Sequence, residues 1–158
     1  MKKVLFISSC GGHLTEMLKL DKMFDDYDYH IITEKTKSTL YLKDKYKDKI
    51  NYMAYGTKDH MLSYPFKLMY NTIKSLFLYF KIRPKYIVTT GAHTGGIMSL
   101  IGKIFGSKII FIETFASINQ KSITGRLVYK FNLADLFIVQ HESMLNFYPK
   151  AVMGGWIF

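Results

Sequence analysis

Cysteine occurs once in the 158 residues, at Cys10. That leaves no pair for a disulfide and no cysteine cluster for a metal centre, and it fits a reducing compartment. Long apolar runs are missing too. The best stretch, Ile97 to Ile112, is broken by Gly102, Lys103, Gly106 and Lys108, whereas a membrane span needs about 20 apolar residues. Met1-Lys2-Lys3 precedes only four apolar residues, Val4 to Ile7, fewer than the roughly 7–15 of a secretion signal. There is no G-x-G-x-x-G, so a nicotinamide or flavin dinucleotide is not expected, and no G-K-[ST] of a P-loop. His30, His60 and His141 lack metal-ligand spacing. Asp26-Tyr27-Asp28 resembles an acidic metal triplet only superficially, because it falls before a strand, away from the ligand edge. No metal or other cofactor is called for. Acidic residues are scarce: 12 against 22 lysines and arginines, a net charge of +10. That excess favours anionic partners, either a membrane surface or phosphorylated substrates. With no RNA-binding motif, zinc-finger spacing or basic tail, nucleic acid is not among them.

What is present is a globular chain, 49% hydrophobic, of a length suited to one domain. Strand-like runs alternate with helical patterns. Strands are expected at Lys3–Ser9, Tyr29–Thr33, Ile50–Tyr55, Lys85–Thr89, Lys108–Ile112 and Leu136–Val139. Helices are expected at Leu14–Phe24, from Ser38 to Lys47, from a Ser63 cap to Ile82, at Thr94–Phe105 and Ser122–Asn132, with a short one at Ser143–Phe147. No repeat, linker or low-complexity tract interrupts them. The alternation predicts an α/β fold with a doubly wound, mostly parallel, Rossmann-like sheet over residues 1–158. In such a sheet the strand-to-helix loops share one edge, where ligands bind. Cys10–His13, Thr33-Glu34, Tyr55-Gly56, Gly91–Gly96, Glu113–Ser117 and Gln140–Glu142 would meet there.

The stretch Ser8-Ser9-Cys10-Gly11-Gly12-His13 joins the first strand to a helix. Glycines there let the backbone approach an anion at a helix N-terminus; a plain tight turn is the alternative. Thr89-Thr90-Gly91-Ala92-His93-Thr94-Gly95-Gly96 is a second loop of the same kind. Two such loops could clamp a diphosphate, although close helix–sheet packing also explains some of the glycines. Two ionisable groups are candidates for proton transfer. Glu113 follows the apolar strand Ile109 to Ile112, and a hydrophobic floor would raise its pKa toward that of a base. His13 at a helix N-terminus would stay neutral and able to accept a proton. Either could instead hold a loop. In the long helix, Phe66, Met69, Tyr70, Ile73, Phe77 and Phe80 form a broad apolar face, while Lys67, Lys74 and Lys81 recur every seven residues. An anionic membrane surface and an ordinary crossover helix both fit that pattern.

Together, Ser-x-x-Gly-Gly-His, Thr90-Gly91-x-x-Thr94, Ile112-Glu113-Thr114, Phe137-Ile138-Val139-Gln140 and Tyr148-Pro149-Lys150 resemble a known family. It is that of asparagine-linked glycosylation protein fourteen and its bacterial capsule and exopolysaccharide relatives of the PssD type. The resemblance covers nearly the whole chain. It implies the N-terminal, acceptor-side half of a GT-B glycosyltransferase similar to MurG, the UDP-sugar half being a separate small polypeptide. The pair would transfer a sugar from a UDP-sugar to a polyprenyl-diphosphate-linked saccharide. The chain would be peripheral, on the cytoplasmic face of the cell membrane. Eukaryotic members carry an N-terminal anchor; its absence here shifts attention to the helix ending at Ile82. Ser9, Gly11, Gly12, Gly91, Thr94, Gly95, Gly96 and Ser117 would hold the acceptor diphosphate. Glu113 or His13 would be the base. Phe66, Lys67, Tyr70, Lys74, Phe77 and Lys81 would contact the membrane, and Trp156, Ile157 and Phe158 the partner subunit. A stand-alone nucleotide-sugar enzyme and a non-catalytic membrane-recruiting scaffold are the competing expectations.

Overall fold

The structure, a computed structural model, describes residues 1–56 and 64–157; Ser63, read as a helix cap, and His60 and Phe158 lie outside the described residues. Strands β1 (Lys3–Ile7), β2 (Asp28–Glu34), β3 (Ile50–Met53), β4 (Tyr86–Thr89), β5 (Lys108–Ile112), β6 (Leu136–Val139) and β7 (Val152–Met153) form one sheet. Their order is β3-β2-β1-β4-β5-β6-β7, and every pairing is parallel. Winding reverses between β1 and β4, the switch point of a doubly wound sheet. Helices α1 (Gly12–Leu18), α2 (Leu42–Tyr46), α3 (Tyr64–Ile82), α4 (Ala92–Ile104) and α5 (Ile123–Lys130) cover the two faces.

Alternation along β1 divides the core. Val4 and Phe6 join Leu14, Met17, Phe24 and Leu42 on one face; Leu5 and Ile7 join Leu78, Ile82, Met98 and Ile101 on the other. Phe111, Phe137 and Val139 pack against Val128, Met144 and Tyr148.

The expected elements are present with adjusted ends. The Leu14–Phe24 helix is split into α1 and a 3-10 helix at Asp21–Asp26, because the Lys19 N–H turns back to the Glu16 carbonyl at 3.1 Å and tightens the last turn. The helix expected from Ser38 contracts to α2. Upstream, the Thr39 hydroxyl donates to the Glu34 carbonyl (2.8 Å) and accepts from the Thr36 N–H (2.9 Å), fixing a turn instead. Glu142–Asn146 is 3-10 rather than α-helical. Strand β7 has two residues, too few for a periodic signal.

The sequence pattern of α3 leaves its orientation open, and the structure turns the apolar face outward. Its inward residues are Asn71, Ser75, Leu78, Tyr79 and Ile82. The aromatic face points outward, with Phe66 69%, Ile73 63% and Phe77 66% exposed. Asn71 faces in because its amide closes the end of β3: its Oδ1 accepts from the Ala54 N–H (2.9 Å) and its Nδ2 donates to the Ala54 carbonyl (2.8 Å). Among the described residues no helix is long and apolar enough to cross a membrane.

This orientation predicts opposite outcomes for two substitutions on one helix. Asn71→Leu strands a backbone donor and acceptor and should cost about 2–3 kcal/mol in urea denaturation. Phe77→Ser should change stability by no more than about 0.5 kcal/mol. The reverse order of effects would mean that α3 packs the other way round.

Candidate functional site

Two turns of matching geometry flank the switch point. Gly11 precedes α1 with φ 81° and ψ −144°, and Gly91 precedes α4 with φ 106° and ψ −151°. A side chain at either position would be strained. Neither helix start has a side-chain cap, in contrast to α5, where the Ser122 Oγ accepts from the Gly125 N–H at 2.9 Å. Glycine at the cap supplies no side-chain oxygen to the first turn of α1 or of α4. Gly11 and Gly12 are exposed, and Ala92 and His93 are partly so.

The turns are stitched together. His13 Nδ1 lies 2.8 Å from the Thr90 carbonyl oxygen, and the Thr90 hydroxyl donates to the His13 carbonyl at 2.7 Å. Below them the Ser9 and Thr94 hydroxyls meet at 3.0 Å. A carbonyl can only accept, so the His13 proton sits on Nδ1. In the neutral ring Nε2 then carries the lone pair.

Two buried carboxylates tie the remaining loops to this edge. Glu34, at the end of β2, accepts from the Cys10 N–H (3.1 Å) and the Gly56 N–H (3.2 Å) and pairs with His93 Nε2 (3.2 Å). Burial pushes its pKa up, but the bonds from His93, Gly56 and Cys10 outweigh that, and the net position is below its ordinary value. The same carboxylate acts on Cys10: burial first, then the bond and charge of Glu34, push that thiol up to about 11. Cys10 is therefore a poor nucleophile. Glu16 on α1 accepts from the Thr114 hydroxyl (2.7 Å), the Phe115 N–H (3.1 Å) and the Gln140 amide (3.2 Å). The six loops expected at the edge do converge.

Glu113 does not open on the crevice. It is 1% exposed, and both its oxygens are engaged. Oε1 accepts from the Thr114 N–H and the Ser117 hydroxyl, both at 3.2 Å; Oε2 accepts from the Tyr148 hydroxyl at 2.8 Å. Gly125 packs so closely on Oε2 that no side chain fits there. The Tyr148 phenol is raised far above its usual range, by burial and then by the Glu113 charge.

Other expected ligand contacts are packing positions. Ser9, Thr94 and Ser117 are buried, and Gly95 lies against the Thr89 hydroxyl where a methyl group has no room. Gly96 faces Thr124 of α5. The chain's last described residues reach the same edge. The Ile157 N–H donates to the Gln140 Oε1 at 3.1 Å, and the Trp156 ring meets Phe115 edge-on at 5.4 Å. His141 Nε2 lies 2.7 Å from the Phe115 carbonyl. Sequence reasoning gave no role to Glu16, Glu34 or Tyr148. Tyr148 could have been found as the partner of Glu113 in two of the motifs that carry the family resemblance.

The fold is that of known sugar-handling proteins. It superposes on the crystal structure of MurG from Acinetobacter baumannii with a TM-score of 0.71 and 14% identity, covering 90% of this chain and 43% of that one. UDP-N-acetylglucosamine 2-epimerase from Rickettsia bellii gives 0.72 and 13%, covering 99% and 45%. The chain thus spans under half the length of these structures and has a GT-B-type, Rossmann-like fold. It belongs to the family described as oligosaccharide biosynthesis protein Alg14 like, whose model matches residues 4–157. Relatives include the UDP-N-acetylglucosamine transferase subunit ALG14 of Kluyveromyces lactis, 27% identical over 191 residues, with 96% of this chain and 77% of that protein covered. The Homo sapiens protein of the same name is 25% identical over 180 residues, with 98% and 82% covered.

The depressed pKa of Glu34 makes a pH prediction. Unfolded, this group titrates near its ordinary value, and folded it titrates lower, so its contribution is complete above the ordinary value and vanishes as pH falls through the folded one. Thermal melting from pH 7 down to about 3 should therefore show an acid limb that is shallower in Glu34→Gln than in the wild type. Parallel limbs would mean that the carboxylate is not held ionised by its three partners.

Proposed function

We propose that this chain is the acceptor-binding, membrane-associated subunit of a two-part glycosyltransferase. It would work with a small UDP-sugar-binding subunit to extend a polyprenyl-diphosphate-linked saccharide, on the inner face of the cell membrane and in capsule or exopolysaccharide synthesis. The relatives' names as transferase subunits support this, as does a fold that matches part of MurG, covering 43% of that chain. Residues 1–158 are then a single acceptor-side half-domain. The observation that carries the reading is the pair of uncapped glycine turns locked side by side by His13 and Thr90.

In this scheme the N-terminus of α4 and the Gly11-Gly12 turn face the acceptor diphosphate, whose charge their N–H groups complement. His13 is the base. With Nδ1 fixed on Thr90, Nε2 takes the proton of the acceptor hydroxyl as its oxygen bonds to the anomeric carbon of the donor sugar. The glycosidic bond to UDP breaks, and UDP leaves with the electron pair. Glu113 is a positioning residue that pins the 114–117 loop from beneath. Trp156 and Ile157, lying on Phe115 and Gln140, put the partner-contacting segment against the same edge. The outward face of α3, with Phe66, Tyr70 and Phe77 beside Lys67, Lys74 and Lys81, rests on the membrane, its apolar part in the headgroup region.

Transfer to a polyprenyl-diphosphate sugar should require both chains, and turnover by this one alone would end the split-enzyme reading. In the assembled complex His13→Ala should lower turnover by about 100-fold or more. A normal rate would favour the scaffold reading. Glu113→Gln keeps acceptor capacity toward Thr114 and Ser117 and should lose less than His13→Ala; an equal loss at unchanged melting temperature would return the base role to Glu113.

For the membrane face, Phe66→Ser combined with Phe77→Ser should weaken sedimentation with phosphatidylglycerol vesicles roughly tenfold or more. Unchanged sedimentation would leave α3 an ordinary crossover helix.

A further inference from the structure

A cavity of about 680 Å³ runs along the outer edge of β3, outside the His13 site. Lys35 follows β2, Lys43 lies on α2 and Lys74 on α3, and the three converge on it together with Tyr52, Tyr55 and Tyr70. Among the described residues no carboxylate lines it. Elsewhere lysines have found acids: Lys45 pairs with Asp21, Lys49 with Asp28, and Lys103 and Lys108 with Asp135. Among the described residues the three cavity lysines pair with none. Lys43 Nζ donates to the Lys47 carbonyl at 2.6 Å, and Lys74 Nζ to the Tyr70 hydroxyl at 3.3 Å while lying 5.4 Å over its ring. Asp44 is near enough for its charge to act on Tyr52 but is not part of the lining.

Three like charges around one concavity repel one another and concentrate a positive potential that a bound anion relieves. The other groups suit a small polar anion. The Tyr70 hydroxyl accepts from Lys74 and keeps its own hydrogen to donate. The Tyr52 hydroxyl is committed to the Thr39 carbonyl at 2.8 Å, so its ring serves as a wall. Among the described residues β3 is the last strand of the sheet, and its outer side has no strand partner. Lys74 and Tyr70 stand one turn apart on α3, at the flank of the exposed Phe66, Ile73 and Phe77.

We propose that this cavity is a binding site for a phosphate ester bearing a small polyol, as found in an anionic phospholipid headgroup or in a free sugar or glycerol phosphate. For the headgroup as source the inference rests on the membrane reading of α3; for the soluble ester it does not. Lys35, Lys43 and Lys74 neutralise the phosphate, and the tyrosines border the polyol. The site stands apart from the diphosphate turns at Gly11 and Gly91 and is not part of the transfer chemistry.

Titrating the full chain with glycerol phosphate and following the lysine side-chain resonances by NMR tests the site. Saturable shifts at Lys35, Lys43 and Lys74 are expected in the wild type. They should vanish in Lys35→Gln/Lys43→Gln and persist in the charge-matched control Lys22→Gln/Lys130→Gln. Both pairs of lysines are exposed, so both variants should fold, as denaturation midpoints would verify. Absent saturation, or shifts that survive in the cavity variant, would overturn the proposal.

Sedimentation with phosphatidylcholine vesicles, with and without phosphatidylglycerol, then separates the sources. A loss of roughly 30-fold in phosphatidylglycerol-dependent binding for the cavity variant alone, the size expected of two lysines at an anionic surface, assigns a lipid headgroup. No loss, or an equal loss in the control, assigns the soluble ester. If the wild type sediments with neither vesicle while the shifts remain, the membrane reading of α3 falls and the site stands.

Discussion

The contact between the His13 imidazole and the Thr90 carbonyl is the constraint on which the candidate site depends. It joins residues 77 apart in the chain, and it can form only because β1 and β4 are neighbours in register, with Ile7 opposite Thr89. That adjacency is the switch point itself. One strand leads to α1 on one face of the sheet and its neighbour leads to α4 on the other, so two helix N-termini open side by side without rivals from the same face. The contact then selects the tautomer. A histidine whose Nδ1 faced a hydroxyl could flip its roles; one facing a carbonyl cannot. Topology, turn geometry and proton position are thus three consequences of one pairing.

Around it the structure spends its buried charge on loops rather than on chemistry. Glu16, Glu34 and Glu113 are at most 3% exposed, and each has three polar partners drawn from two or more segments. Burying an unpaired carboxylate is prohibitive, but a carboxylate with its lone pairs filled becomes a rigid node. Glu34 fixes the loops after β1, β2, β3 and β4; Glu16 and Glu113 fix those after β5 and β6. Gln140 closes the set, donating to Glu16 (3.2 Å) and the Glu113 carbonyl (3.0 Å) while accepting from Ile157. A loop edge held this way needs little reorganisation when a charged ligand arrives, which is the condition for electrostatic stabilisation to count.

The fold was legible in the sequence because its strands are buried on both faces and read as unbroken apolar runs between glycine-rich loops. The positions of the loops followed from topology alone. The roles of individual residues did not. Glu16 is two residues from Leu14, roughly 200° around the helix, so periodicity puts it in solvent; it is buried because the 114–115 loop covers that side of α1, a tertiary contact that no local pattern encodes. Glu113 was readable as a residue following an apolar strand, but whether its side chain turned to the crevice or to Tyr148 depended on α5, whose Gly125 makes room for it. Helical periodicity likewise found the apolar face of α3 without saying which way it pointed. Asn71 decides that, and its signal is a pair of bonds to Ala54 that becomes visible only once β3 and α3 are packed.

An outward aromatic face has a consequence for the whole of that side. The inward residues of α3 are polar over its first half and apolar only from Leu78 onward, so the helix is anchored to the core chiefly at its C-terminal end. Its neighbour α4 runs from the switch point at Ala92 to an end where Ile104 and Phe105 are exposed, a length of about 20 Å for its 13 residues. α5 adds Ile123, Leu127 and Phe131, also exposed. These exposed apolar side chains are what the proposed membrane contact would cover. In the proposed reading the acceptor has one diphosphate and one long apolar tail, and α4 offers both demands along one element: uncapped N–H groups at its start and apolar surface toward its end. In that reading the arrangement that places the two glycine turns together would also set the distance between the charged end of the acceptor and the membrane that carries its tail.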